Sequence, residues 1–275
     1  MSMPRITWDE LPAAARAAVV EHTGPVHAAT SALNGVNSGI AARLQTGTGD
    51  VFIKGVPADH PQIRTQQREA DINLHLPATC PRLLWRVRVS GWDLLGFELL
   101  AGRTADFAPG SADLPKVVAA LHTLTHTPCP DLPLKRVDQR WAAYAHSDAL
   151  PLLDGDHLLH TDMAPRNILI ADHAHLIDWA WPTEARPGLT RRSGSSGSST
   201  PATPLPRPRT GLPAWRTAPP AAVAAFAHAN VAMWNEIAAQ DPTISWKKQL
   251  AASAHRWSEH RASIARPPTR APEIG

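Results

Sequence analysis

Apolar and polar positions repeat with two different periods along this chain. Ala13 to Val20 has helical spacing, with Thr7 placed as an N-cap, Trp8-Asp9-Glu10 as an acidic first turn and Gly24 as the stop. Strand-length runs follow at Val26–Leu33, Ile40–Gln45 and Val51–Lys54, separated by the turn-rich stretches Asn34–Gly39 and Thr46–Asp50. Pro61–His75 returns to helical spacing through Ile63, Ala70, Ile72 and Leu74, and Leu83–Val89 with Trp92–Leu100 reads as a hairpin about Ser90-Gly91. Further on helices dominate: Asp113–His126, Trp141–His146, Val223–Ala239 and Gln249–Ile264. They are interrupted by the short apolar runs Leu158-Leu159, Ile168–Ile170 and Leu176-Ile177. The pattern predicts an α+β chain, with an antiparallel sheet and one associated helix first and a mainly helical part after it.

At 275 residues the chain is long enough for one large domain or two lobes. Two cysteines, Cys80 and Cys129, cannot build a disulfide framework, and no run approaches membrane-spanning length. The N-terminus has no basic segment leading into an apolar run, so a soluble, cytoplasmic protein without a membrane partner is expected. The pI of 9.2 invites a nucleic-acid partner. Its source argues against one, because six arginines and no acid lie between Ala185 and Thr217, and without them the formal charge falls from +3 to −3. That segment, about 185–213, has the Ser/Pro/Arg/Thr composition of a linker or disordered insertion. A compensated frame shift in a GC-rich coding sequence would produce the same switch, and translating the source DNA in its other frames tests that. No feature of the sequence specifies an oligomeric state.

The chemistry concentrates in His160-Thr161-Asp162-Met163-Ala164-Pro165-Arg166-Asn167, bracketed by two apolar runs, with Asp178 closing the next one. A carboxylate such as Asp162 within hydrogen-bond reach of an alcohol aligns it for attack, and Asn167 and Asp178 are hard oxygen ligands suited to Mg²⁺. Pro165 stiffens the loop between them. Gly35 and Gly39, with Ser38 between, allow backbone amides close approach to an anion. Lys54 ends an apolar run, and Glu69 lies within the following helical stretch as its candidate partner.

The pattern H-x-D-x-x-x-x-N followed by Ile177-Asp178-Trp179 resembles the aminoglycoside phosphotransferase branch of the protein-kinase-like superfamily. The resemblance implies a two-lobed fold, with residues 1–101 as a nucleotide-binding lobe and 102–275 as the catalytic and substrate-binding lobe. It implies ATP and Mg²⁺ as cofactors, Lys54 on the nucleotide phosphates with Glu69 holding it, and Asp162 with His160 in the catalytic loop, the His as a structural support. By position, adenine would lie along Phe97, Glu98, Leu99 and Leu100. The chain departs from protein kinases in Ala164, two residues after Asp162, in Trp179-Ala180, and in lacking a following Ala-Pro-Glu. These departures point to a small-molecule hydroxyl acceptor, as in aminoglycoside, choline, homoserine or fructosamine kinases. A catalytically impaired, kinase-like nucleotide-binding protein is the alternative. A polycationic acceptor would need an acidic cleft, and the acids available are the scattered Asp154, Asp156, Glu184 and Glu236.

Overall fold

A computed structural model describes residues 3–32, 37–108, 110–186 and 218–265. Gly35 and nearly all of the anomalous segment, from 187 onward, therefore lie outside the described residues. The chain forms two compact units: Met1–Ala105 with Pro130–Leu134 and Arg166–Pro182, and Asp106–Cys129 with Lys135–Pro165 and Thr183–Gly275.

The first unit opens with helix α1 (Ala13–Thr23), which starts later than the sequence pattern placed it. Thr7 and Glu10 do bond as a capping pair, the Thr7 N–H and hydroxyl both reaching Glu10 Oε2 at 2.7 and 2.8 Å. They close only an isolated turn, because Pro12 would fall inside a helix begun at Thr7, where it has no N–H to donate and its ring clashes with the preceding turn. Gly24, at φ 69°, ends α1 by donating to Val20 O.

Strands β1 (Val26–Ser31), β2 (Ile40–Thr46) and β3 (Val51–Pro57), helix α2 (Ile63–Asn73), and strands β4 (Leu83–Val89) and β5 (Trp92–Glu98) follow. The sheet is antiparallel in the order β1-β2-β3-β5-β4. Ser90 and Gly91, both at positive φ, make the tight β4–β5 turn whose twist suits a hairpin. Strand β5 stops at Glu98, short of the Leu100 expected from apolarity, because Val51 at the start of β3 pairs with Glu98 and Leu83 of β4 with Phe97. No ladder remains for Leu99 and Leu100.

Alternation divides the two faces of this sheet. Ile40, Ala42, Leu44, Val51, Ile53 and Leu94 pack with Trp8, Leu11, Ala15 and Val19 from the α1 side. On the other face Phe52, Leu95 and Phe97 pack with Ala70 of α2. Trp85 lies across Gly96, where a Cβ would sit 2.1 Å from the indole ring. Gly96→Ala is expected to lower stability by about 1–3 kcal/mol, the usual cost of overpacking, read as a fall in the urea midpoint at unchanged slope.

Strand β6 (Arg103–Thr104) ends this stretch, and the second unit begins with α3 (Asp113–Thr125), β7 (Lys135–Arg136), α4 (Val137–Arg140), α5 (Leu150–Leu153) and β8 (His157–His160). The helix expected over Trp141–His146 lies one turn earlier, as α4. Trp141 accepts from the Tyr144 and Ala145 N–H groups in a single turn that does not continue, and Ser147 and Asp148 just beyond it are residues whose side chains compete for backbone partners. A 3₁₀ turn at Pro165–Asn167 leads into the hairpin of β9 (Ile168–Ile170) and β10 (Ala174–Leu176), which groups with the first unit, where β9 also pairs with β6. Strand β11 (Pro182–Ala185) pairs in parallel with β7 in the sheet β7-β11-β8. Helices α6 (Pro220–Gln240) and α7 (Ser245–Ala265) complete the second unit. Its core is built on the edge-to-face series Trp141, Phe226 and Trp257, with centroids 5.0 and 6.0 Å apart.

Candidate active site

Lys54 owes its place to the period of β3. Val51 and Ile53 face the α1 side, so Phe52 and Lys54 face α2. Glu69 lies on the buried stripe of α2 formed by Thr65, Gln66, Glu69, Ala70 and Ile72. The Lys54 ammonium donates to Glu69 Oε2 at 2.7 Å and to Asp178 Oδ1 at 2.5 Å. The three side chains are 15%, 6% and 35% exposed. Burial alone would lower the Lys54 pKa, but the carboxylates of Asp178 and Glu69 outweigh it and hold the amine above its ordinary value, firmly protonated. Burial pushes the Glu69 carboxyl up, and the charge of Asp178 adds to this, while Lys54 and the Trp179 N–H oppose it.

Asp178 follows β10 with φ 63°, in the left-handed region that short polar residues tolerate best among those with a side chain. The turn is closed by the Trp179 indole N–H, which donates to Leu176 O at 3.2 Å. Buried beside that turn, the Cys80 thiol is pushed up to about 12 by burial and is inert at neutral pH. Asn167, at the other end of the hairpin, is 3% exposed, and its carbonyl accepts the Ile177 N–H at 2.9 Å. One backbone bond therefore ties the Asn167 and Asp178 ends of the hairpin together. Among the described residues no group of three His, Cys, Asp or Glu side chains is placed to hold a metal ion. One carboxylate and one amide oxygen still fit Mg²⁺, which commonly takes most of its ligands from water and substrate phosphates.

In the second unit His160 ends β8 at 2% exposure, and its Nδ1 accepts the Asp162 N–H at 3.3 Å. Accepting at Nδ1 puts the neutral ring's proton on Nε2. Met163 and Ala164 are buried, Ala164 completely, so a long cationic side chain at that position would have no room.

The residues expected at a phosphate loop and at the adenine fall into different surroundings. Ser38 is buried. The Gly39 N–H is donated to Gly55 O at 2.8 Å, and a Cβ on Gly39 would lie 2.9 Å from Met3 Sδ and 3.0 Å from the Trp92 ring. Gly39 is thus tightly packed just before β2, and its amide already has a partner. Phe97 shares the sheet face of Lys54 and packs on α2. The Glu98 N–H is donated to Arg82 O, its carboxylate receives the Arg82 N–H, and Leu99 and Leu100 continue beyond the sheet. The contact that sequence reasoning missed is Lys54 with Asp178, 124 residues apart and marked by no local pattern.

No protein-family profile matches the sequence, and no curated protein does. Solved structures do match. The fold is that of aminoglycoside phosphotransferase structures. A thermostable mutant of APH(4)-Ia, crystallised with ADP and hygromycin B, superposes with a TM-score of 0.55 at 12% identity over 91% of this chain and 99% of that one. A second mutant, with AMP-PNP and hygromycin B, gives 0.56 at 12% identity over 93% and 100%. A Ralstonia eutropha JMP134 protein assigned to the same group gives 0.51 at 14% identity over 90% and 97%.

Proposed function

We propose that this protein is an ATP- and Mg²⁺-dependent phosphotransferase that moves the γ-phosphate of ATP to a hydroxyl of a small molecule. The observation that carries the proposal is the Lys54 ammonium held between Glu69 and Asp178. A cation fixed by two carboxylates on the face of a sheet's central strand is a preorganised partner for nucleotide phosphates. Residues 1–101 then form the nucleotide lobe and 102–275 the lobe that binds the acceptor. Phe97, Glu98, Leu99 and Leu100 line the adenine, and Gly35 and Ser38 belong to the phosphate loop, where Gly39 has a packing role. Asn167 and Asp178 would hold Mg²⁺, which supplies charge neutralisation between the phosphates when bound. Asp162 aligns the acceptor hydroxyl and takes its proton, and His160 supports the backbone at Asp162. The nucleotides bound in the structural neighbours support this reading.

The acids open to a polycationic acceptor are largely engaged. Asp154 and Glu184 both pair with Arg136, Asp156 bonds His157, and Glu236 bonds Tyr144 and Gln240. Neutral or singly charged alcohols therefore come first in the acceptor screen. No helix among the described residues is long and apolar enough to cross a membrane, and the proposed setting is the cytoplasm, where ATP is available.

Mg-ATP in large excess over its Kd is expected to raise the melting temperature by several degrees, since a ligand at about 100 Kd adds roughly 2.7 kcal/mol. Absence of any shift would remove the nucleotide site. An acceptor screen by ATP consumption completes the test. Nucleotide binding without turnover on any alcohol would identify a kinase-like binding protein instead.

A further inference from the structure

We propose that Asp93 and Gln66 are positioning residues that fix α2 on the sheet and so bring Glu69 to Lys54; what this serves rests on the phosphotransferase reading. Asp93 is fully buried on β5, at the opposite end of the α2-facing stripe from Phe97. Three side chains converge on its carboxylate. Arg86 donates to both oxygens at 2.6 to 3.2 Å, Arg88 Nε donates to Oδ2 at 2.7 Å, and Gln66 Nε2 donates to Oδ1 at 2.7 Å and to the Asp93 carbonyl at 2.6 Å. Arg88 also bonds the neighbouring Gln67 side chain, so two consecutive residues of α2 are tied to the β4–β5 hairpin.

The spacing converts this grip into a position for Glu69. Asp93 lies opposite Val56 and Leu95 opposite Lys54, so Asp93 and Lys54 stand one side-chain repeat apart on the same face. Gln66 and Glu69 stand one helical turn apart on the same stripe of α2. The helix is therefore held at two rungs, Gln66 on Asp93 and Glu69 on Lys54, with Ala70 against Leu95 and Phe97 beyond the second. The first rung needs no nucleotide and has a saturated charge partner, whereas the second uses a lysine shared with Asp178.

The orientation of Gln66 is decided by charge. Its Oε1 is buried without a hydrogen-bond partner among the described residues. Flipping the amide would satisfy nothing, because it would turn that oxygen toward the Asp93 carboxylate. The chain retains an orphaned acceptor to keep both N–H donors on Asp93. Burial would raise the Asp93 pKa, but the hydrogen bonds from Arg86, Gln66 and Arg88 bring it below its usual value, so the anchor stays charged.

The test is the reactivity of Lys54 toward isotope-coded acetic anhydride at pH 8, read by mass spectrometry against the exposed Lys135 and Lys248 and requiring no nucleotide. Gln66→Met keeps the side-chain length and removes both donors. In the folded variant, labelling of Lys54 is expected to rise severalfold relative to the two exposed lysines, because an α2 that no longer seats Glu69 against it uncovers an ammonium that is only 15% exposed. A folded Gln66→Met protein with reduced stability and unchanged Lys54 labelling would assign Gln66 to stability alone and overturn the proposal. If Gln66→Met does not fold, Gln66→Asn, which keeps the amide but not its reach, is judged by the same two outcomes. Mg-ATP stabilisation of the wild type separates the two hypotheses. Raised labelling with no nucleotide binding leaves the positioning role and removes the phosphotransferase, and nucleotide binding with unchanged labelling does the reverse.

Discussion

Asp162→Asn is expected to lower phosphate transfer roughly a thousandfold, within the range for loss of a positioned general base, while Mg-ATP still raises the melting temperature as in the wild type. The substitution is nearly isosteric. The loop backbone is held by the Asp162 N–H on His160 and by the buried Met163 and Ala164. An amide can still accept a hydrogen bond from an alcohol but cannot take its proton, so the loss should appear in kcat and in kcat/KM together. The measurement is ATP consumption with an accepted alcohol beside a thermal shift with Mg-ATP. Equal turnover in both proteins would remove Asp162 from the chemistry.

How much of this was legible depended on whether the signal was local. The apolar run Val51–Lys54 marked β3, but it carried no signal for the face the lysine takes, because Val51, Phe52 and Ile53 are all apolar and only the packing of Val51 and Ile53 on the α1 side decides it. The helical spacing placed α2, and of its expected apolar positions Ala70 and Ile72 are buried beside Glu69, whereas Leu74 lies just past the helix and is exposed. The sheet, its hairpin and the long helices α3, α6 and α7 followed from periodicity, and their ends moved by a few residues for reasons of tertiary pairing. The two-residue strands β6 and β7 and the four-residue helices α4 and α5 are too short to show a period.

Gly39 illustrates what composition hides. A Gly/Asn/Ser turn and a glycine pressed against Met3 and Trp92 look alike in sequence, since the pressing atoms come from elsewhere in the chain. Thr7 and Glu10 show a local rule obeyed and then overruled, the cap forming while Pro12 prevents the helix from following it. The ion pair of Lys54 with Asp178 and the grip of Asp93 on Gln66 depend on which elements meet, which no window of residues contains.

Lys54→Met combines the largest stability effect with the largest loss of function short of Asp162. Removing the ammonium leaves Glu69, only 6% exposed, facing Asp178 with no cation between them. Breaking a buried pair from one side costs about 3–5 kcal/mol at neutral pH. The same variant should lose about a hundredfold or more in turnover, as when one preorganised donor is taken from a developing charge. The pH dependence separates this cause from lost packing. In the wild type the folded pKa of Glu69 is already raised, and Lys54 was one of the influences restraining it, so in the variant it rises further. A carboxyl with a raised folded pKa favours the native state fully below its unfolded value, near 4.5, and loses that contribution as pH climbs through the folded pKa. Lys54 itself, held above its ordinary 10.5, stays charged in the wild type throughout the range of interest. The stability deficit of Lys54→Met should therefore be small near pH 5 and grow toward pH 8, by about 1.4 kcal/mol for each unit the Glu69 pKa has risen. Urea unfolding of both proteins at the two pH values measures it. A deficit independent of pH would mean that the lysine stem, and not its charge, supports the fold.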